Sequence, residues 1–349
     1  MQYAYVGCRT TKERNAKGKG ISVYEVRDDG WHLKQIAENL VNPSYQCFDE
    51  TKQNLYTIHG DRQEISAFSI APETGELTFI NRVPTGGVNP VHLSIDATNQ
   101  WIFVANLQSG KVSVIPRNQD GSLAPPKEIY TIPGKGEGTI SHPHQVMQDI
   151  KRNFLIVSCQ GRSAGFGQVD VFKIHSQTGT LEKTSVFHAR EEAEPRHVVF
   201  HPNNRFCYGV NEKEDTVSVY DFDDKEGILT EQQKISLFPG EGKKEGWASG
   251  IVIDKGGNYI VVSNRIHDCL ISFRIDQVNG RLQRIDTVDT GGKQPRYIVM
   301  NPDTNTILAA NEVTDTLKEF RIDVDSGKME FTGLTVNTES PVCVSFLDY

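Results

Sequence analysis

Histidine, arginine and glutamate recur in this sequence at fixed places beside proline and asparagine. Together they could run acid–base chemistry on an anionic substrate. His142-Pro143-His144 is followed by Pro195-Arg196-His197, Asn211-Glu212, Asn264-Arg265 with His267 nearby, and Pro295-Arg296, while His92 stands two places after Pro90. An imidazole or a carboxylate can take and return a proton, and a guanidinium can hold a carboxylate, a phosphate or a developing oxyanion. Other chemistries fit less well. Gly246-Trp247-Ala248-Ser249-Gly250 carries its serine one place late for a nucleophile elbow. There is no phosphate-binding glycine loop in a strand-to-helix setting. His142 and His144 could share one face of a strand, but no Asp, Glu or Cys cluster stands beside them. No metal and no cofactor is therefore expected.

The elements that must position these residues are repeated strands. Turn glycines at 30, 75, 121, 179, 227, 280 and 327 lie 45–58 residues apart, and five of the seven are followed two places later by Leu. Before each turn lies a strand-like run, such as Val112–Ile115 or Val217–Tyr220, mostly alternating and rich in β-branched and aromatic residues. A second register is sharper. Pro43 leads to His59, Pro90 to Asn106, Pro143 to Cys159, Pro195 to Asn211, Ala248 to Asn264 and Pro295 to Asn311, each at sixteen residues. The seventh unit is split: Pro341–Phe346 is a first strand without a partner, and Tyr3–Cys8 with the two strands after it supplies what is missing. This predicts an all-β fold, a seven-bladed β-propeller with four antiparallel strands per blade. The ring is closed by one C-terminal and three N-terminal strands. Residues 1–349 are expected to form a single domain.

In a propeller the innermost strand lines the channel, so residues just after the repeating proline and at the end of the second strand gather at one mouth. The first set holds His92, His142, His144, Arg196, His197 and Arg296. The second holds Asn106, Asn211, Glu212, Asn264, Arg265, Asn311 and Glu312. A charged group in so crowded a place is costly without a partner or ligand. Ligand contact is therefore expected for Arg196, Arg265, His144 and Glu212. Plainer roles are expected elsewhere. Asn106 and Asn311 would satisfy turn backbone, His201 would serve the opposite face as a structural hydrogen-bonding residue, and Lys243-Lys244-Glu245 would be a solvated loop.

Composition limits the rest. The 349 residues carry 37 Lys+Arg against 45 Asp+Glu, a formal charge of −8, which argues against a nucleic-acid partner. Mean hydropathy is −0.44 and no run is long and apolar enough for a membrane helix, so no membrane partner is expected. The N-terminal residues show no signal-peptide pattern. Six scattered cysteines without a CxxC pair read as reduced thiols of a cytoplasmic protein. Oligomeric state is not legible.

His142–His144, Pro195–Asn203, Tyr208–Glu212, Val262–Asp268 and Gln294–Tyr297, with Tyr5–Thr10 and Gly20–Tyr24 at the start, resemble the seven-bladed propeller lactonase family. That family includes bacterial 6-phosphogluconolactonase and fungal carboxy-cis,cis-muconate cyclase, and the resemblance spans essentially the whole chain. It implies a catalytic cluster of His144, Arg196, Glu212 and Arg265. With the topology, it suggests substrate contacts from His92, His142, His197, Asn211, Asn264, His267 and Arg296. The implied activity is hydrolysis of a small anionic sugar lactone, 6-phospho-D-glucono-1,5-lactone to 6-phosphogluconate in the pentose phosphate pathway, by metal-free acid–base catalysis. Either Glu212 or His144 could be the base. Where the family usually has Asp-Leu-Gly, this chain has Cys159-Gln160-Gly161 and a longer Arg162–Gly167, a departure near the mouth that bears on substrate identity. Two alternatives remain open: a lyase acting on a muconate-type lactone, and a non-catalytic propeller scaffold.

Overall fold

The computed structural model describes residues 1–240, 246–302 and 304–349. Lys243-Lys244-Glu245 and Asp303 lie outside the described residues. Seven four-stranded sheets form the protein, and the strands within each are antiparallel. Numbered from the first complete sheet, blade 1 starts at Pro43, blade 2 at Pro90, blade 3 at His142, blade 4 at Pro195, blade 5 at Ala248 and blade 6 at Pro295. Blade 4 is typical: Pro195–Phe200, Phe206–Asn211, Thr216–Asp223 and Ile228–Ser236 run outward in sequence order. Blade 7 combines Pro341–Asp348 with Gln2–Cys8, Gly20–Arg27 and Gly30–Glu38, as the split repeat predicts. Each innermost strand touches the innermost strand of the next blade, and Pro341–Asp348 touches Pro43–Phe48, so the ring closes. Among the described residues the one helical element is a short 3-10 turn, Lys12–Arg14. Among the described residues no helix is long and apolar enough to cross a membrane.

Alternation explains the packing. Second strands such as Phe206–Asn211 and Tyr259–Asn264 are buried along their whole length, because both faces of each blade lie against neighbouring blades. The hydrophobic clusters accordingly run between blades: one joins Tyr208, Val210 and Val217 of blade 4 to Ile260, Val262 and Ile271 of blade 5.

The repeated glycine turns have a second role that spacing alone does not reveal. Gly280 has a φ of +71°, and a Cβ there would lie 2.5 Å from the ring of Phe206, which opens the second strand of the preceding blade. Gly179 makes the same approach to Trp101, whose indole N–H donates to Ser176 O at 2.7 Å. Four other turns repeat this approach, and only Gly30 of blade 7 faces open space. The glycines thus key each blade onto the one before it. Gly280→Ala adds left-handed strain to an overlap with Phe206 and should cost about 2–4 kcal/mol. A fall in melting temperature checks this, and an unchanged one would show that the approach is not a constraint.

Candidate active site

The side chains at the ring's centre are aimed by a bulge. In blades 1, 2, 3, 4 and 6 the register between the innermost and second strands slips by one residue just after the repeating proline, leaving Ser44, Val91, His144, Arg196 and Arg296 unpaired. Blade 7 slips likewise at Val342. A bulged residue leaves the alternation of its strand and its side chain is re-aimed. These six line one cleft, joined there by Arg9, Tyr45, His197 and Tyr297. The cleft has only ≈20 Å³ of free room, about one water molecule. Its floor suits a water or a carbonyl oxygen, and larger groups belong at its rim. Beside Glu212 a wider hollow of ≈540 Å³ is lined by Gln160, Arg162, Ser163, Glu194 and Lys213.

Glu212 organises the charge. Its Oε2 lies 3.1 Å from Arg196 Nε and accepts from Gln160 Nε2 at 2.9 Å, while its Oε1 lies 3.2 Å from Arg265 Nη2. Arg196, only 3% exposed, also donates from Nη1 to Ser249 O at 2.8 Å. The Arg265 guanidinium lies 4.3 Å from the Trp247 ring centre. Burial alone would raise the Glu212 pKa, but Arg265, Arg196 and Arg296 together with the Gln160 hydrogen bond outweigh it and hold the carboxyl below its ordinary value. The carboxylate is therefore ionised, with both oxygens engaged. It is a poor base and a good counter-ion.

The imidazoles are the opposite case. The His144 ring centre is 5.2 Å from that of His197, which is 5.9 Å from that of His92. Burial, and then the field of Arg196, Arg296 and Arg265, hold His144 well below its ordinary pKa, so it is neutral at pH 7. His197 is lowered by burial and Arg196, and His92 is pushed down to about 3 by the same causes. The buried Nδ1 of His144 has no protein partner.

Not every expected contact is in this cluster. The bulge separates His142 from His144: His142 stays paired with Gln160 and its Nδ1 lies 2.9 Å from Leu107 O, so the shared face expected from i, i+2 spacing does not form. Asn211 donates to Thr216 Oγ1 and Ser218 Oγ, and Asn264 caps a turn by accepting from the backbone N–H groups of Ile266 and His267. The His267 ring packs on Phe238, with ring centres 4.3 Å apart. His92 lies against Tyr45 and lines a different cavity from the cleft. Asn106 bonds Thr85 and Ser113, and His201 bonds Gly257 O, structural roles as expected. Three residues of the site were not singled out by sequence: Arg9, Gln160 and Trp247. Arg9 forms a further ion-pair group with Arg296 and Glu312, Gln160 buttresses Glu212, and Trp247 underlies Arg265. The signal for Arg9 was present, since it follows the end of its second strand as Arg265 does.

A model of the family described as lactonase, 7-bladed beta-propeller, matches residues 3–346. The chain belongs to the seven-bladed β-propeller lactonase family. It is 30% identical to the 6-phosphogluconolactonase of Bacillus subtilis strain 168, over 98% of this chain and 97% of that protein. The 6-phosphogluconolactonase of Formosa agariphila is 27% identical over 85% of this chain and 86% of its own. Among solved structures, a putative 6-phosphogluconolactonase from Bacteroides fragilis superposes with a TM-score of 0.88 at 25% identity, covering 99% of this chain and 98% of that one. The periplasmic gluconolactonase of Pseudomonas aeruginosa shares the fold, with a TM-score of 0.87 at 24% identity and coverage of 100% and 99%. The protein is thus a lactonase that opens lactones by hydrolysis, and the scaffold alternative is set aside.

In this lactonase, removing Glu212 would leave two buried guanidiniums facing each other without their shared counter-charge. Glu212→Ala should destabilise the fold by about 3–5 kcal/mol. Denaturant unfolding measures this, and a loss below about 1 kcal/mol would show that the carboxylate is not what holds the arginines.

Proposed function

We propose that the lactonase hydrolyses 6-phospho-D-glucono-1,5-lactone to 6-phosphogluconate, with the reaction centre at the channel mouth, where His144 and Arg196 line the cleft and Glu212 ties Arg196 to Arg265. The observation that carries this is a neutral imidazole with an unpartnered buried nitrogen, set beside arginines that one carboxylate holds in place. The name carried by the relatives from Bacillus subtilis and Formosa agariphila supports the choice of lactone. The reaction is the hydrolytic step of the pentose phosphate pathway. A phosphorylated lactone does not cross bilayers, so the reaction belongs in the cytoplasm, where sugar phosphates are made.

His144 Nδ1 takes a proton from water as the water oxygen attacks the carbonyl carbon, and the carbonyl π pair moves onto oxygen. Arg196 and Arg265 stabilise that oxyanion, and Glu212 keeps them oriented, so little reorganisation is needed as the charge develops. Collapse of the tetrahedral intermediate breaks the bond to the ring oxygen, which takes the proton from the His144 imidazolium. The product is the open hydroxy acid, which ionises to a carboxylate. No step calls for a metal or a covalent enzyme intermediate. On this reading Glu212 is the orienting anion and His144 the base.

Purified protein should accelerate decay of the phosphorylated lactone at neutral pH, and Arg265→Ala should lower kcat about 10²–10³-fold while the fold is kept. Wild-type decay no faster than buffer would refute the reading, and near-normal turnover by Arg265→Ala would remove Arg265 from the reaction. The pH dependence carries a sign. His144 must be unprotonated, and its pKa in the free enzyme is depressed, so its active form persists into acid. With unphosphorylated glucono-1,5-lactone, kcat/KM corrected for spontaneous opening should fall only well below pH 6.5. A limb at or above 6.5 would contradict His144 as the base.

A further inference from the structure

The Arg–Glu–Arg arrangement occurs twice in this ring, 100 residues apart. Arg196 follows Pro195 in blade 4 and Arg296 follows Pro295 in blade 6, each the bulged residue of its innermost strand. Glu212 and Glu312 each follow the asparagine that ends the second strand of the same blade. The third member comes from the next blade around the ring: Arg265 after Asn264, and Arg9 after Cys8. Their backbones are held alike. Glu212 N donates to Glu194 O at 2.9 Å, Glu312 N to Gln294 O at 3.1 Å, Arg265 N to Trp247 O at 3.2 Å and Arg9 N to Ser340 O at 3.0 Å. One site has thus been built twice on equivalent positions.

The copies differ in how fully their charge is matched. In the Glu212 group the carboxylate–guanidinium separations are 3.1 and 3.2 Å. In the Glu312 group both are 3.9 Å, from Arg9 Nε and from Arg296 Nε. Arg9 is only 4% exposed, yet its Nε and Nη1 have no hydrogen-bond partner. Its other acid, Asp61, lies 3.5 Å away and already accepts from Arg14 Nε at 2.8 Å. Burial, and then repulsion from Arg296, push the Arg9 pKa down to about 9. Arg9 and Arg296 line the same cleft as His144 and Arg196, and Arg296 is 23% exposed at its rim. A buried cation with spare donors, repelled by a second cation, lacks an anion.

We infer that Arg9 and Arg296, balanced only in part by Glu312, form a second anion subsite that takes the phosphomonoester of the substrate while the Glu212 group handles the reacting carbonyl. This rests on the sugar-phosphate reading of the lactone above. The tightly paired group suits a transient charge, since its donors are already fixed. The loosely paired group leaves Arg9 Nε and Nη1 without hydrogen-bond partners and suits a standing dianion, which guanidinium forks bind well.

The test compares kcat/KM for the phosphorylated and unphosphorylated lactones in wild type, Arg9→Met and Arg296→Met, with calorimetric binding of 6-phosphogluconate against gluconate. Either substitution should cut the preference for the phosphorylated lactone about 10–100-fold, mainly through KM, and weaken 6-phosphogluconate by a similar factor relative to gluconate. The melting temperature of Arg9→Met should hold or rise, because an under-partnered buried charge is replaced by an apolar chain. A preference unchanged within about twofold, an equal loss on both lactones, or a collapse produced instead by Arg162→Met in the neighbouring hollow would each overturn the subsite. If wild type opens neither lactone the functional reading fails, and calorimetry alone judges the subsite: loss of 6-phosphogluconate affinity in Arg9→Met supports it, and no loss or no wild-type binding refutes it.

Discussion

The site depends on one carboxylate held between two buried guanidiniums. Without Glu212, Arg196 and Arg265 would repel each other where water cannot screen them. With it, both are fixed, both keep donors in reserve, and the local field stays positive. That field has a second effect, since it and burial keep the nearby His144 in its basic form at neutral pH. In the proposed mechanism one ion-pair group thus prepares both the electrophilic and the basic side of the reaction centre. A chain with a formal charge of −8 thus presents a local cationic site: net charge describes the whole surface, and the arginines are gathered at one point.

The propeller makes this gathering possible. Six blades bring a bulged residue to one cleft, and second strands end at the same mouth, so equivalent places of the repeat converge there. Repetition supplies the scaffold, and substitution at equivalent places supplies the chemistry. Ser44, Val91 and Val342 fill bulge positions with small or apolar side chains, while His144, Arg196 and Arg296 fill them with titratable or charged ones. The outer glycine turns lock neighbouring blades and leave the mouth free to vary.

Much of this was legible in the sequence because a repeat reports on itself. The sixteen-residue spacing from Pro195 to Asn211 is the antiparallel pair it predicts, and the unpaired strand at Pro341 found its partners at the N-terminus. The bulge was not legible. It is a backbone register slip with no residue signature of its own, and strict alternation therefore placed His142 beside His144. Asn211 and Asn264 mark strand ends clearly, but a strand-end asparagine serves its own turn as readily as a ligand. Arg9 was hidden by the split of blade 7, which leaves its strand at the opposite end of the chain from the Arg296 it faces. The pairing of Glu212 with two arginines, on which the proposal of His144 as base rests, is a matter of distances.

The most direct test of the central claim is a crystal structure with an uncleavable lactam analogue of the phosphorylated lactone. The account predicts its carbonyl oxygen about 3 Å from the guanidinium of Arg196 or Arg265, with Glu212 still between them and His144 Nδ1 facing the carbonyl carbon across the width of one water. A carbonyl turned away from both guanidiniums, or a Glu212 carboxylate lying free of the arginines and itself against that carbon, would contradict it.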